Sequence, residues 1–93
     1  MSTLNNERVK EIVARAAQAN NVNFADIGTE SAVDSTGADA LVVTIVLTPG
    51  SSEAIRGERS ARTISQVVRE LADAGEDRFP IVRYEEKLAT SRS

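Results

Sequence analysis

The nine residues from Ala40 to Thr48, Ala-Leu-Val-Val-Thr-Ile-Val-Leu-Thr, form the densest run of β-branched and apolar residues in the chain, and Pro49-Gly50 stops it. Such a run reads as a central strand. Its odd positions, Leu41, Val43, Ile45 and Leu47, are all large and apolar, while Ala40, Val42, Thr44, Val46 and Thr48 alternate small, apolar and hydroxylic. Successive strand side chains point to opposite faces. One face therefore belongs to a core, and the other is only half committed to it.

The flanking segments supply what this strand packs against. Asn5 is placed to cap a helix that runs to about Ala19, with Leu4 ahead of it to staple onto Val9. Val9, Ile12, Val13, Ala16 and Ala17 repeat at helical spacing, and Glu7 with Lys10 and Glu11 with Arg15 pair on the wet side. Asn20 and Asn21 tolerate the left-handed conformation in which helices end. Val22 and Phe24 anchor the connection to the core. From Asp26 to Asp34 a weakly apolar strand with Ile27, Thr29, Ser31 and Val33 on one side carries acids on the other, which suits a sheet edge. Ser35 to Asp39 is a turn, so a hairpin joins this strand to the central one.

A second helix is expected from about Glu58 to Ala74, with an apolar stripe of Ile64, Val67, Val68, Leu71 and Ala72 or Ala74, and Gly75 ending it. Glu58 with Arg62 and Arg69 with Asp73 are its i, i+4 pairs. Residues 53–57 ahead of it read as a mobile loop or frayed turn. Phe79 to Tyr84 is a strand opened by Pro80, and 87–93 is a polar tail expected to be disordered. The chain is thus one α+β domain over residues 1–86, a two-layer α/β sandwich in the order α-β-β-α-β. A right-handed crossover places the last strand parallel to the central one, giving a three-stranded mixed sheet of order 1-2-3 with both helices on one face. The core is expected to join Leu41, Val43, Ile45 and Leu47 to Ile64, Val68 and Leu71.

This element order resembles that of KH-type domains, the ribosome-binding factor A family and the small iron-sulfur assembly domains. Arg78-Phe79-Pro80-Ile81-Val82-Arg83-Tyr84 resembles the arginine and proline ahead of the last strand in the ribosome-binding factor A family. Leu47-Thr48-Pro49-Gly50-Ser51 resembles the strand-to-helix corner of the assembly domains, with Ser51 where those place a cysteine. The chain has no Gly-x-x-Gly loop of the kind that clamps an RNA backbone. What the resemblance implies is the α-β-β-α-β fold and, for function, association with nucleic acid or the ribosome.

Composition narrows the chemistry. There is no cysteine and no histidine, which removes disulfides, thiolate nucleophiles, imidazole bases and the common zinc sites. Neither a cofactor nor a metal is expected, and the chain reads as a non-enzyme. No basic-then-apolar leader opens the sequence and no window approaches the ~18 apolar residues of a membrane span, so a cytoplasmic location with no membrane contact is the expectation. Net charge is −3, but residues 1–50 hold three Lys or Arg against six Asp or Glu, and residues 51–93 hold eight against eight. An anion-binding surface would therefore lie in the second half, and nucleic acid is a disfavoured partner overall.

Four constellations are candidates for function. Asp34-Ser35-Thr36-Gly37-Ala38-Asp39 has a glycine turn between two acids, superficially like an aspartic-protease or calcium loop. The spacing is wrong for the first and two carboxylates are too few for the second, so it reads as a hairpin turn. Ser51 and Ser52 leading toward Arg56, Arg59 and Arg62 hold the ingredients of an anion site. Glu53 and Glu58 in the same stretch favour a solvated helix entry with local ion pairs. The carboxylates Glu30, Asp34, Asp39, Glu85 and Glu86 lack an aromatic-rich pocket that would desolvate them. The fourth is the uncovered sheet face: Val42, Thr44 and Val46, joined by Val82 and Tyr84 if Phe79 and Ile81 point into the core. A patch of this kind marks a surface for a protein partner or a second copy. The leading functional expectation is a small binding module or regulatory subunit acting through that face, and the alternative is a KH-like nucleic-acid- or ribosome-associated factor acting through the arginines.

Overall fold

The computed structural model describes residues 4–49 and 58–86, the side chain of Glu58 excepted. Their elements are α1 (Asn6–Ala19), β1 (Phe24–Val33), β2 (Asp39–Leu47), α2 (Glu58–Asp73) and β3 (Phe79–Glu86). The sheet order is β1-β2-β3, with β1 antiparallel and β3 parallel to β2. This is the α-β-β-α-β arrangement with a three-stranded mixed sheet that the residue pattern predicts. Ser51, Ser52, Arg56, the 53–57 loop and the 87–93 tail lie outside the described residues.

Helix α1 starts where Asn5 caps it, its side chain accepting from the Arg8 N–H at 2.8 Å. Val9, Ile12, Val13, Ala16 and Ala17 are all buried, so the whole apolar stripe is used. The helix closes with Asn21 at φ 60, where the Val22 N–H bonds back to the Ala17 carbonyl at 2.9 Å. That 6→1 bond is the Schellman closure, and it turns Val22 into the core. Helix α2 ends in the same way. Gly75 sits at φ 100 and the Glu76 N–H reaches the Leu71 carbonyl at 3.0 Å.

The β1–β2 turn is held by one carboxylate. Asp34 Oδ1 accepts from the Thr36 N–H at 2.8 Å, the Thr36 hydroxyl at 2.7 Å and the Ala38 N–H at 2.9 Å. The Thr36 hydroxyl, and then the turn N–H groups, hold Asp34 below the usual carboxylate range. Gly37 at φ 88 completes the turn, as the chain direction there requires.

The core lies between the helices and one face of the sheet. Leu41, Val43, Ile45 and Leu47 of β2 are buried with Ile27 of β1, the α1 stripe, and Val67 and Leu71 of α2. Two expected members are corrected. Val68 is 37% exposed, and Ile64 is only half-buried. Val67 and Leu71 of the expected stripe do face inward, and Thr63 joins them there. Thr63 can be buried because its hydroxyl donates to the Arg59 carbonyl at 2.9 Å, leaving no unpaired polar group. Gln66, meanwhile, accepts from Asn20 of α1 at 2.9 Å, which joins this side of α2 to the end of α1. Ile64 and Val68 then fall on the flank away from α1.

Candidate functional site

The two faces of the sheet follow from register. Leu41, Val43 and Ile45 pair with Pro80, Val82 and Tyr84, while Ala40, Val42, Thr44 and Val46 pair with Phe79, Ile81, Arg83 and Glu85. The first set faces the helices. Val82 and Tyr84 pack against the core, and the Tyr84 hydroxyl donates to the Ser60 carbonyl of α2 at 3.2 Å. Burial pushes the Tyr84 phenol up from its ordinary value.

The expectation that Val82 and Tyr84 line the open face is therefore corrected. Val42, Thr44 and Val46 do lie on it, but their β3 companions are Phe79 and Ile81, 64% and 39% exposed, with Arg83. A signal for this was present in the sequence. Residues 79, 81, 83 and 85 share one side, so burying Phe79 and Ile81 would carry Arg83 and Glu85 toward the core as well, whereas turning Pro80, Val82 and Tyr84 inward brings only Glu86, at the very end of the strand, to that side.

From β1, the antiparallel register adds Ala32 beside Ala40, Glu30 beside Val42, Gly28 beside Thr44 and Asp26 beside Val46. The face therefore has an apolar middle, with Val42 and Val46 half-covered and Phe79 and Ile81 open. Its β1 side is small and acidic, and its β3 side is bulky with one arginine. Among the described residues, no element lies over this face.

The other candidates are dispersed or already engaged. Arg59 and Arg62 are exposed near the start of α2, and each already interacts with another group. Arg62 lines a shallow groove of about 400 Å³ with Asn20, Ala61, Ser65, Gln66 and Arg69. The carboxylates do not converge: Asp34 is bound into its turn, Glu30 and Glu85 sit on opposite outer strands, and Asp39 lies near Arg78. Among the described residues, no group of three or more acids is arranged to hold a metal ion. None of the described helices is long and apolar enough to cross a membrane.

One polar cluster escaped sequence reasoning. The Glu76 carboxylate, 1% exposed, takes the Arg78 guanidinium at 2.8 and 2.9 Å, the Arg78 N–H at 2.9 Å and the Leu4 N–H at 3.0 Å. Arg78 in turn donates to the Ser31 hydroxyl at 2.7 Å and to the Leu4 carbonyl at 3.2 Å. The Arg78 side-chain hydrogen bond is the largest cause holding the Glu76 carboxyl down at about 2, against a usual 4.5. This clamp ties the entry to α1, the end of β1 and the α2–β3 link. With its oxygens occupied, Glu76 is a structural acid and has no free lone pair directed at a substrate. Its only local sign in the sequence is an acid and a base two residues apart between the Gly75 stop and a strand.

No family model matches the chain, and neither do any curated proteins or solved structures.

Proposed function

We propose that this chain is a small non-enzymatic binding module or regulatory subunit that works through protein–protein contact at the open sheet face. The observation that carries the reading is Phe79 and Ile81, 64% and 39% exposed, beside Val42 and Val46 on a face left uncovered among the described residues. Apolar groups held rigidly on a sheet gain free energy when a partner removes them from water. The reading includes a cytoplasmic location and no cofactor.

The test is Val46→Asp. Val46 points away from the helices, so circular dichroism and the melting curve should stay close to those of the parent chain while partner capture or self-association is lost. Charge reversal of Arg56, Arg59 and Arg62 to Glu should change neither. The competing reading, a nucleic-acid- or ribosome-associated factor, draws on Arg62 and Arg69 around the groove between α1 and α2. It takes over if the arginine reversal abolishes salt-dependent RNA or DNA binding while Val46→Asp leaves every interaction intact.

A further inference from the structure

The open face is lopsided in shape and in charge. Row by row along the strands, Phe79 lies across from Ala32, Ile81 from Glu30, Arg83 from Gly28 and Glu85 from Asp26, with β2 between them. Phe79, Ile81 and Arg83, with Glu85 at the end, line one margin, and Ala32, Glu30, Gly28 and Asp26 line the other. Gly28 sharpens the contrast. Its φ is not positive, and a Cβ built on it would meet only the Thr44 Cβ, at 3.9 Å. Neither backbone conformation nor internal crowding calls for glycine there. A strand glycine accompanies a bulge or leaves room for a close approach, and here it lies two residues past the register shift at 24–26 and leaves the outer surface of β1 low at this row.

We infer that the occupant of this face is a second copy of the chain, stacked sheet on sheet about a two-fold axis parallel to β2. The inference rests on the proposal that the open face is the contact surface, and it names the partner. Such an axis lays β3 of one copy over β1 of the other and keeps each row opposite itself. Arg83 then stands over Gly28 of the second copy, with Asp26 and Glu30 of that copy two residues to either side, about 7 Å along the strand and within an arginine's reach. Phe79 meets Ala32, and Val42 and Val46 close the middle. Every contact occurs twice, as an isologous interface demands. The one like-charged meeting, Glu85 over Asp26, falls at a corner of the overlap. That meeting opposes association, and its place at the rim of the overlap leaves both acids open to water and screened by salt. A face three strands wide buries on the order of 1,000 Å² in total, at the small end of stable interfaces. Association is therefore concentration-dependent.

Sedimentation equilibrium over a concentration series tests the inference. The parent chain should dimerise, and Arg83→Glu should weaken the dimer about tenfold or more, since the new carboxylate faces two others. Glu30→Arg should also weaken it. The double variant Arg83→Glu/Glu30→Arg should recover most of the affinity, which a merely structural role for either residue would not produce. Gly28→Leu should block association while leaving the melting temperature of the dilute, monomeric chain unchanged, because the chain itself has room for the side chain. A parent chain that stays monomeric throughout overturns the inference, and the open-face proposal is then judged by partner capture alone. A dimer that Val46→Asp breaks but the charge swap does not restore overturns this arrangement while keeping the face. A dimer indifferent to Val46→Asp overturns both.

Discussion

The two faces of β2 and β3 are built from nearly the same kinds of residue and have opposite fates. On one, Leu41, Val43, Ile45 and Leu47 are 0–2% exposed beneath the helices, with Val82 and Tyr84 packed in beside them. On the other, Val42 and Val46 stand half-covered beside Phe79 and Ile81. Apolar content alone does not separate the faces on β3, where Phe79 and Ile81 stand outside while Val82 and Tyr84 turn inward. The separation comes from which residues must share a face with charges, and from the amphipathic helices having only one side to dock on. The sharpest way to break this contrast is to truncate adjacent residues. Ile45→Ala should cost about 2–5 kcal/mol in urea unfolding, the range for emptying a filled core position. Val46→Ala should cost far less, and equal losses would show that the two faces are energetically the same.

The next largest effect comes from the end of the covered face, where the Glu76–Arg78 clamp closes the core. Glu76→Gln keeps the shape but leaves the guanidinium without its counter-charge, and should cost about 1.5–3 kcal/mol, the value of hydrogen bonds to a charged group. The pH dependence has a definite sign. The folded carboxyl is depressed to about 2 from 4.5, so the folded state binds the proton less readily than the unfolded chain does. Its contribution is complete above about 4.5 and is lost as pH falls through about 2. Thermal melts on an acid series should show Glu76→Gln less sensitive to pH than the parent across that window.

A smaller effect tests the assignment of β3 directly. Tyr84→Phe removes the bond to the Ser60 carbonyl and should cost about 1 kcal/mol, the net worth of a typical hydrogen bond. On the open face the same change would cost nothing, so a neutral result restores the orientation that the residue pattern alone favoured.

What was legible in the sequence is what local chemistry decides. Asn5, Asn21, the Asp34–Gly37 turn and Gly75 each act through bonds to near neighbours, the α1 stripe is set by spacing within one helix, and each behaves as its residue type predicts. The element order and strand directions follow from those stops together with the handedness of the crossover. What was not legible depends on partners distant in the chain. The rotation of α2 places Gln66 beside Asn20 and buries Thr63 where a hydrophobic count selects Ile64 and Val68. The β3 orientation needed the charges at Arg83 and Glu85 weighed against two apolar residues. The Glu76–Arg78 clamp joins three segments, and only one of them was visible as a local charge pair. Of the residues expected on the open face, Val42, Thr44 and Val46 lie there, whereas Val82 and Tyr84 turn to the core and Phe79 and Ile81 stand in their place.

The smallest expected effect is at the most exposed apolar side chain of the open face. Phe79 is 64% exposed, so folding removes little of its ring from water, and the usual stabilisation for burying a phenylalanine does not apply. Phe79→Thr keeps a residue suited to strands and should leave the unfolding free energy of the dilute chain within about 0.5 kcal/mol of the parent, as for surface substitutions generally. Under the sheet-on-sheet arrangement the same change removes a ring seated on Ala32 of the second copy, so at concentrations where the chain associates the melting temperature should fall below that of the parent. A stability loss in the dilute chain as large as that of Tyr84→Phe would mean that Phe79 already packs within its own fold, and the contrast between the two faces would fail at β3.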